Sequence, residues 1–130
     1  MTRSELELHI TSSYGIAPDY PFGGDPATAV FRHPDNKKWF AVAMHIPQVK
    51  LGIEGDGMID VVNVKCAPEI LHSFLGETGI FPAYHMNRNH WLTVALDGCV
   101  SDDTAEFLLK ISYDLTKTVK KSKRGYRTKF

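Results

Sequence analysis

At 130 residues with 43% hydrophobic content, the chain has material for one core, and a second domain is not expected. It contains no run of about 18 apolar residues, which excludes a membrane-spanning helix, and the opening Met1-Thr2-Arg3-Ser4-Glu5 lacks the apolar stretch of a secretion signal, so the expected location is the cytoplasm. The formal net charge of zero hides an asymmetry: residues 117–130 hold 7 of the 15 lysines and arginines and no acid, leaving eight basic against 15 acidic residues elsewhere, a formal −7.

Thr2 followed three residues later by Glu5 is a capping box, and Leu6, Ile10 and Tyr14 continue at helical spacing. The spacing predicts a first helix over residues 3–13, stopped by Gly15 and Pro18. Residues 19–26 are dense in turn formers and aromatics and read as an ordered surface loop. Two β-rich runs follow, 28–32 and 38–44, joined by His33-Pro34-Asp35-Asn36-Lys37, with an extension of the second run kinked at Pro47. Gly52, Gly55, Asp56 and Gly57 make a turn, and no Lys-Ser/Thr pair follows to suggest a phosphate loop. Alternating residues 58–65 complete a three-stranded meander.

Pro68 suits a first helical position, and Ile70, Leu71, Phe74 and Leu75 give a second helix ending near Gly79. A second hairpin is expected, with arms 80–86 and 90–96 joined by Asn87-Arg88-Asn89. Ser101 caps a last helix with one face formed by Ala105, Leu108, Leu109, Ser112, Leu115 and Val119. The order α-β-β-β-α-β-β-α argues for an α+β fold of two layers, helices on an antiparallel sheet, in one domain over residues 1–116 with a basic tail over 117–130. Cys66 and Cys99 lack metal-type spacing and read as two small buried hydrophobes.

Four blocks occur in order along the chain: Tyr20-Pro21-Phe22-Gly23; Val62-Asn63-Val64-Lys65-Cys66-Ala67-Pro68-Glu69; Pro82-Ala83-Tyr84-His85-Met86-Asn87-Arg88-Asn89-His90-Trp91; and Ser112-Tyr113-Asp114-Leu115. With Lys50-Leu51-Gly52-Ile53-Glu54-Gly55-Asp56-Gly57, similar to the longer-hairpin members, they make residues 2–116 resemble the bacterial MmcQ/YjbR family. The resemblance implies an architecture related to secretion chaperones and comparable to CyaY, the frataxin-like protein, and a double-wing motif associated with DNA binding. Ala67 stands where the family usually has an acid, and Asn89 where many members carry Lys or Glu, so Arg88 alone keeps the hairpin tip basic.

The densest chemistry is the run from Tyr84 to Trp91. There Arg88 could pair a phosphate or carboxylate, Tyr84 or Trp91 could offer a stacking face, and Asn87 could read an amide or base edge. The competing reading makes Asn87 and Asn89 positive-φ turn residues, with the two aromatics covering the sheet. His85 and His90, five apart across a turn, would need a third ligand such as His33 or His45 to hold a metal, and nothing in the sequence supplies one convincingly. Lys65 is a candidate cation beside this hairpin. Asp97, Asp102, Asp103 and Asp114 are available acids, but Asp102 and Asp103 suit the first turn of a helix, and Ser112 and Cys99 lack a base-and-orienter pattern. No cofactor motif is present. The expectation is a non-enzymatic binding module contacting DNA or another protein through the sheet face and residues Lys65, Tyr84, His85, Asn87, Arg88, His90 and Trp91. An enzyme would need a pocket lined by His85, His90 and Lys65.

Overall fold

The computed structural model describes residues 1–119, so most of the basic tail, residues 120–130, lies outside it. Helix α1 (Arg3–Tyr14) starts at the expected box: the Glu5 N–H donates to the Thr2 hydroxyl oxygen, and the Thr2 N–H donates to the Glu5 carboxylate at 2.8 Å. It ends at Gly15, whose φ of 67° is the left-handed cap that glycine accepts without a Cβ clash.

Strands β1 (Ala29–Arg32), β2 (Trp39–Pro47) and β3 (Met58–Lys65) form the expected meander, with a 3-10 turn over Gln48–Leu51 between β2 and β3. Helix α2 (Pro68–Phe74) ends earlier than expected, and β4 (Ile80–Pro82), β5 (Trp91–Ala95) and α3 (Asp102–Thr116) follow. All pairings are antiparallel in the order β1-β2-β3-β5-β4, which puts β4, carrying Pro82, at an edge where a missing N–H costs no ladder bond. The fold is therefore α+β, with three helices and a five-stranded antiparallel sheet among the described residues.

The period-2 alternation sends Val62, Val64, Leu92 and Val94 to the helix-covered face, where Leu6, Ile10, Leu71, Leu108 and Leu109 close a dry core. A bulge modifies this pattern on β2. Phe31 pairs with Ala41 and Arg32 with Trp39, so the register passes over Phe40. Phe40 and Ala41 both join the helix-side core, while Trp39 packs with the residues of the opposite face. Ser112 of α3 secures the irregularity: its buried hydroxyl donates to the Phe40 carbonyl at 2.6 Å and accepts the Lys65 N–H at 2.8 Å.

Several local expectations change. The second hairpin has short arms, because residues 83–90 leave the ladder and fold as a loop. Neither Asn87 nor Asn89 has positive φ; His85 does, at 60°. Cys66 is buried but Cys99 is exposed, with partial desolvation and then the Asp97 carboxylate pushing its thiol up to about 11. Leu115 and Val119 do not belong to the buried face of α3: Leu115 is exposed, and Val119 lies beyond the last helical turn.

Candidate functional site

The second face of the sheet carries its own apolar cluster of Val30, Val42, Met44, Ile46, Ile59, Val61 and Ala95, covered by loops instead of helices. Three segments cross it: the aromatic loop before β1, the 3-10 turn region after β2, and residues 83–90. A groove of about 480 Å³ remains between the first and the last of these. Its floor includes Val42, Met44, Ile46 and Asn63, and its walls include Phe22, Trp39, Tyr84, His85 and Met86, with Asp25 and Thr28 at one side.

Hydrogen bonds to Tyr84 hold the start of the 83–90 loop against this floor. Asn63 is fully buried in the central strand β3; its side-chain N–H donates to the Tyr84 carbonyl at 2.8 Å, and its oxygen accepts the Thr93 hydroxyl at 2.6 Å. The Thr93 hydroxyl oxygen in turn accepts the Tyr84 N–H at 2.8 Å. Both backbone groups of Tyr84 are thereby satisfied without a strand partner. The Tyr84 and His85 rings stack 3.9 Å apart with an interplanar angle of 16°, and the positive φ of His85 turns the chain along the groove edge. On the opposite wall Phe22 and Trp39 meet edge to face, 6.1 Å apart and at 87°.

The expected site residues divide between distinct places. Tyr84 and His85 line the groove. Arg88 is on the far side of Tyr84, where it shares a smaller cleft of about 230 Å³ with Lys50, Leu51, Phe81 and Pro82, and its Nε donates to the Ala83 carbonyl at 3.3 Å. Asn87 builds the turn: its side-chain oxygen accepts the Asn89 N–H at 2.8 Å and its carbonyl accepts the N–H groups of His90 and Trp91. The His90 carbonyl accepts the Cys66 N–H at 2.8 Å, and Lys65 pairs with Trp91 across β3 and β5. Lys65, His90 and Trp91 do not line the groove, so His85, His90 and Lys65 do not form one pocket. Among the described residues no group of three or more His, Cys, Asp or Glu is arranged to hold a metal ion.

Phe22, Asp25, Trp39, Met44 and Asn63 are among the groove residues that the sequence did not mark as candidates. One signal for them existed: the run from Trp39 to Ile46 is apolar at every position except His45, which is the pattern of a strand covered on both faces.

These features define a class of small α+β proteins with one helix-covered sheet face and one loop-covered face that holds a groove. The chain belongs to the YjbR family, whose model matches residues 11–115. It is similar to the uncharacterised protein YyaQ of Bacillus subtilis, 38% identical over 117 residues that span 90% of this chain and 99% of that protein. A crystal structure of a Pseudomonas syringae protein matches at 42% identity and a TM-score of 0.88, covering 90% of this chain and 100% of the other. A Deinococcus radiodurans protein with the domain DUF419 matches at 29% identity and a TM-score of 0.57, covering 77% of this chain and 67% of that one.

Proposed function

We propose that this protein is a cytoplasmic binding module whose ligand site is the groove on the loop-covered face, where an apolar or aromatic group is taken up between Trp39 and Tyr84. The observation that carries the reading is the groove itself: a concave site of about 480 Å³ walled by aromatic side chains and floored by a rigid sheet. Its shape is pre-organised, because the Asn63–Thr93–Tyr84 hydrogen bonds fix one wall before any ligand arrives. Two free cysteines suit a reducing compartment.

The test is a panel of aromatic fragments titrated into isotope-labelled protein. The expected result is saturable shifts clustered at Trp39, Asn63 and Tyr84 and lost in Val42→Phe, which fills the floor. Shifts scattered over the surface, or none at millimolar fragment, would overturn the reading.

A second reading, weak contact with nucleic acid, draws on the double-wing resemblance and on Lys50 and Arg88 converging on one cleft beside Tyr84. It requires duplex binding that weakens steeply between about 50 and 200 mM salt and falls on charge reversal at Arg88 and Lys50. Binding unchanged by Arg88→Glu and Lys50→Glu would remove this site. The acidic excess of residues 1–116 works against it, since a negative body repels phosphates.

A further inference from the structure

The chemistry of the groove wall narrows its ligand class, an inference that rests on the groove being the binding site. Of the residues lining it, none is a lysine or arginine, and Asp25 supplies a carboxylate. Arg32 pairs in register with Trp39 and its guanidinium is engaged by Asp19, while Arg3, whose charge acts on Asp25, is itself paired with Glu7 at 3.0 Å. Asp25 accepts the Thr28 hydroxyl and the Ala27 N–H, contacts that hold its carboxyl below the usual carboxylate range and keep it ionised at neutral pH. Phe22 and Trp39 stand perpendicular to one another, and Tyr84 contributes to another part of the wall. Aromatic faces carry negative quadrupole density that attracts cations, and Trp does so best.

We propose that the groove binds a small organic cation, a substituted ammonium whose apolar substituents contact Val42, Met44 and Ile46 while its charge lies among Trp39, Phe22 and the Asp25 carboxylate. An anion of the same size meets the Asp25 carboxylate there. A neutral molecule of the same size fills the volume but gains neither the ring nor the carboxylate attraction.

The experiment titrates the full-length protein with three probes of similar shape: benzyltrimethylammonium, benzyl alcohol and benzoate, read by calorimetry and by chemical shifts. The ammonium is expected to bind about tenfold or more tighter than the alcohol, with benzoate weakest. Asp25→Asn keeps an oxygen for the Ala27 N–H and places an N–H where the Thr28 hydroxyl oxygen can accept it, and in a variant whose amide spectrum shows the native fold it should bring the ammonium close to the alcohol. Trp39→Leu should weaken both. Benzyl alcohol or benzoate binding in the groove as tightly as the ammonium overturns the cation assignment and leaves the groove reading standing. Binding by none of the three overturns both. An ammonium affinity unchanged in Asp25→Asn also overturns the proposal, because the charge preference would then have another origin.

Discussion

The two faces of the sheet are built from the same strands and differ in what covers them. On the helix side Phe31, Phe40 and Leu92 are fully buried in one cluster with Leu6 and Ile10 of α1 and Leu108 and Leu109 of α3. On the loop side the largest side chains, Trp39, Phe81, Tyr84 and Met86, are only partly buried, and a buried amide occupies the centre of the floor. Helices satisfy their own backbones and can lay continuous apolar stripes on a sheet. Loops cannot, so a loop-covered face needs polar groups such as Asn63 and Thr93 beneath it and leaves spaces between crossings. One face is therefore committed to cohesion, and the other retains volume for a ligand.

Truncations should separate the faces most clearly. Phe31→Ala or Leu108→Ala removes side chains with no room to collapse, and each should lower the stability measured by urea unfolding by about 3–5 kcal/mol. Trp39→Ala, which is half-buried at the groove wall, should cost about 1–2 kcal/mol, less than the roughly 3–5 of a buried aromatic, while removing the wall that faces Phe22. Equal losses at Phe31 and Trp39 would break the distinction.

Asn63→Leu tests the polar floor. It leaves the Tyr84 carbonyl and the Thr93 hydroxyl without their partner inside the protein, at a cost of about 2–3 kcal/mol. Hydrogen exchange should accelerate at the Tyr84 amide before it changes in α3. The double variant Asn63→Leu/Thr93→Val should recover part of the loss at Thr93, since removing both partners costs less than orphaning one. An exchange pattern unchanged around Tyr84 would show that side-chain packing alone holds the loop.

The helix side was far more legible in the sequence than the groove. The Thr2–Glu5 box, the Ser101 cap, Pro68 at a helix start and the alternation of residues 58–65 are local signals, read within a few neighbours. The groove joins Phe22, Trp39, Asn63 and Tyr84, four positions far apart along the chain, and no periodicity announces which loop will cross which strand. The Tyr84–Trp91 run drew attention for its chemistry, yet Asn87 proved to be turn structure and Arg88 faces a separate cleft. The bulge at Phe40 was equally hidden, because an unbroken apolar run fits either register. His85 defied the usual turn preference: Asn87 and Asn89 offered cheaper residues for positive φ, but the stacking partner Tyr84 precedes His85 directly.

The smallest expected effect distinguishes the faces by pH. His33, at the end of β1, is buried on the helix side, tilted against Phe40 and Tyr113 at 5.1 and 4.5 Å, with its Nε2 2.8 Å from the Thr116 hydroxyl. That hydroxyl donates to the Ser112 carbonyl at 2.8 Å, which leaves its oxygen to accept from Nε2. Burial pushes the His33 pKa down, opposed by Asp35 and by a hydrogen bond to the Tyr113 backbone. Above the ordinary histidine value of about 6.5 neither folded nor unfolded chain protonates this ring, and it gives no pH slope. As pH falls below that value the unfolded chain takes up a proton that the folded chain refuses, so stability declines down to the depressed folded pKa. The carboxylates held low in the folded state, Asp35, Asp97 and Asp114 among them, act in a separate and more acidic window. Thermal midpoints should therefore fall between pH 7 and 5.5 in the native protein, and the fall should shrink in His33→Gln. A slope that survives His33→Gln undiminished would take the pH response away from His33 and from the helix-covered face.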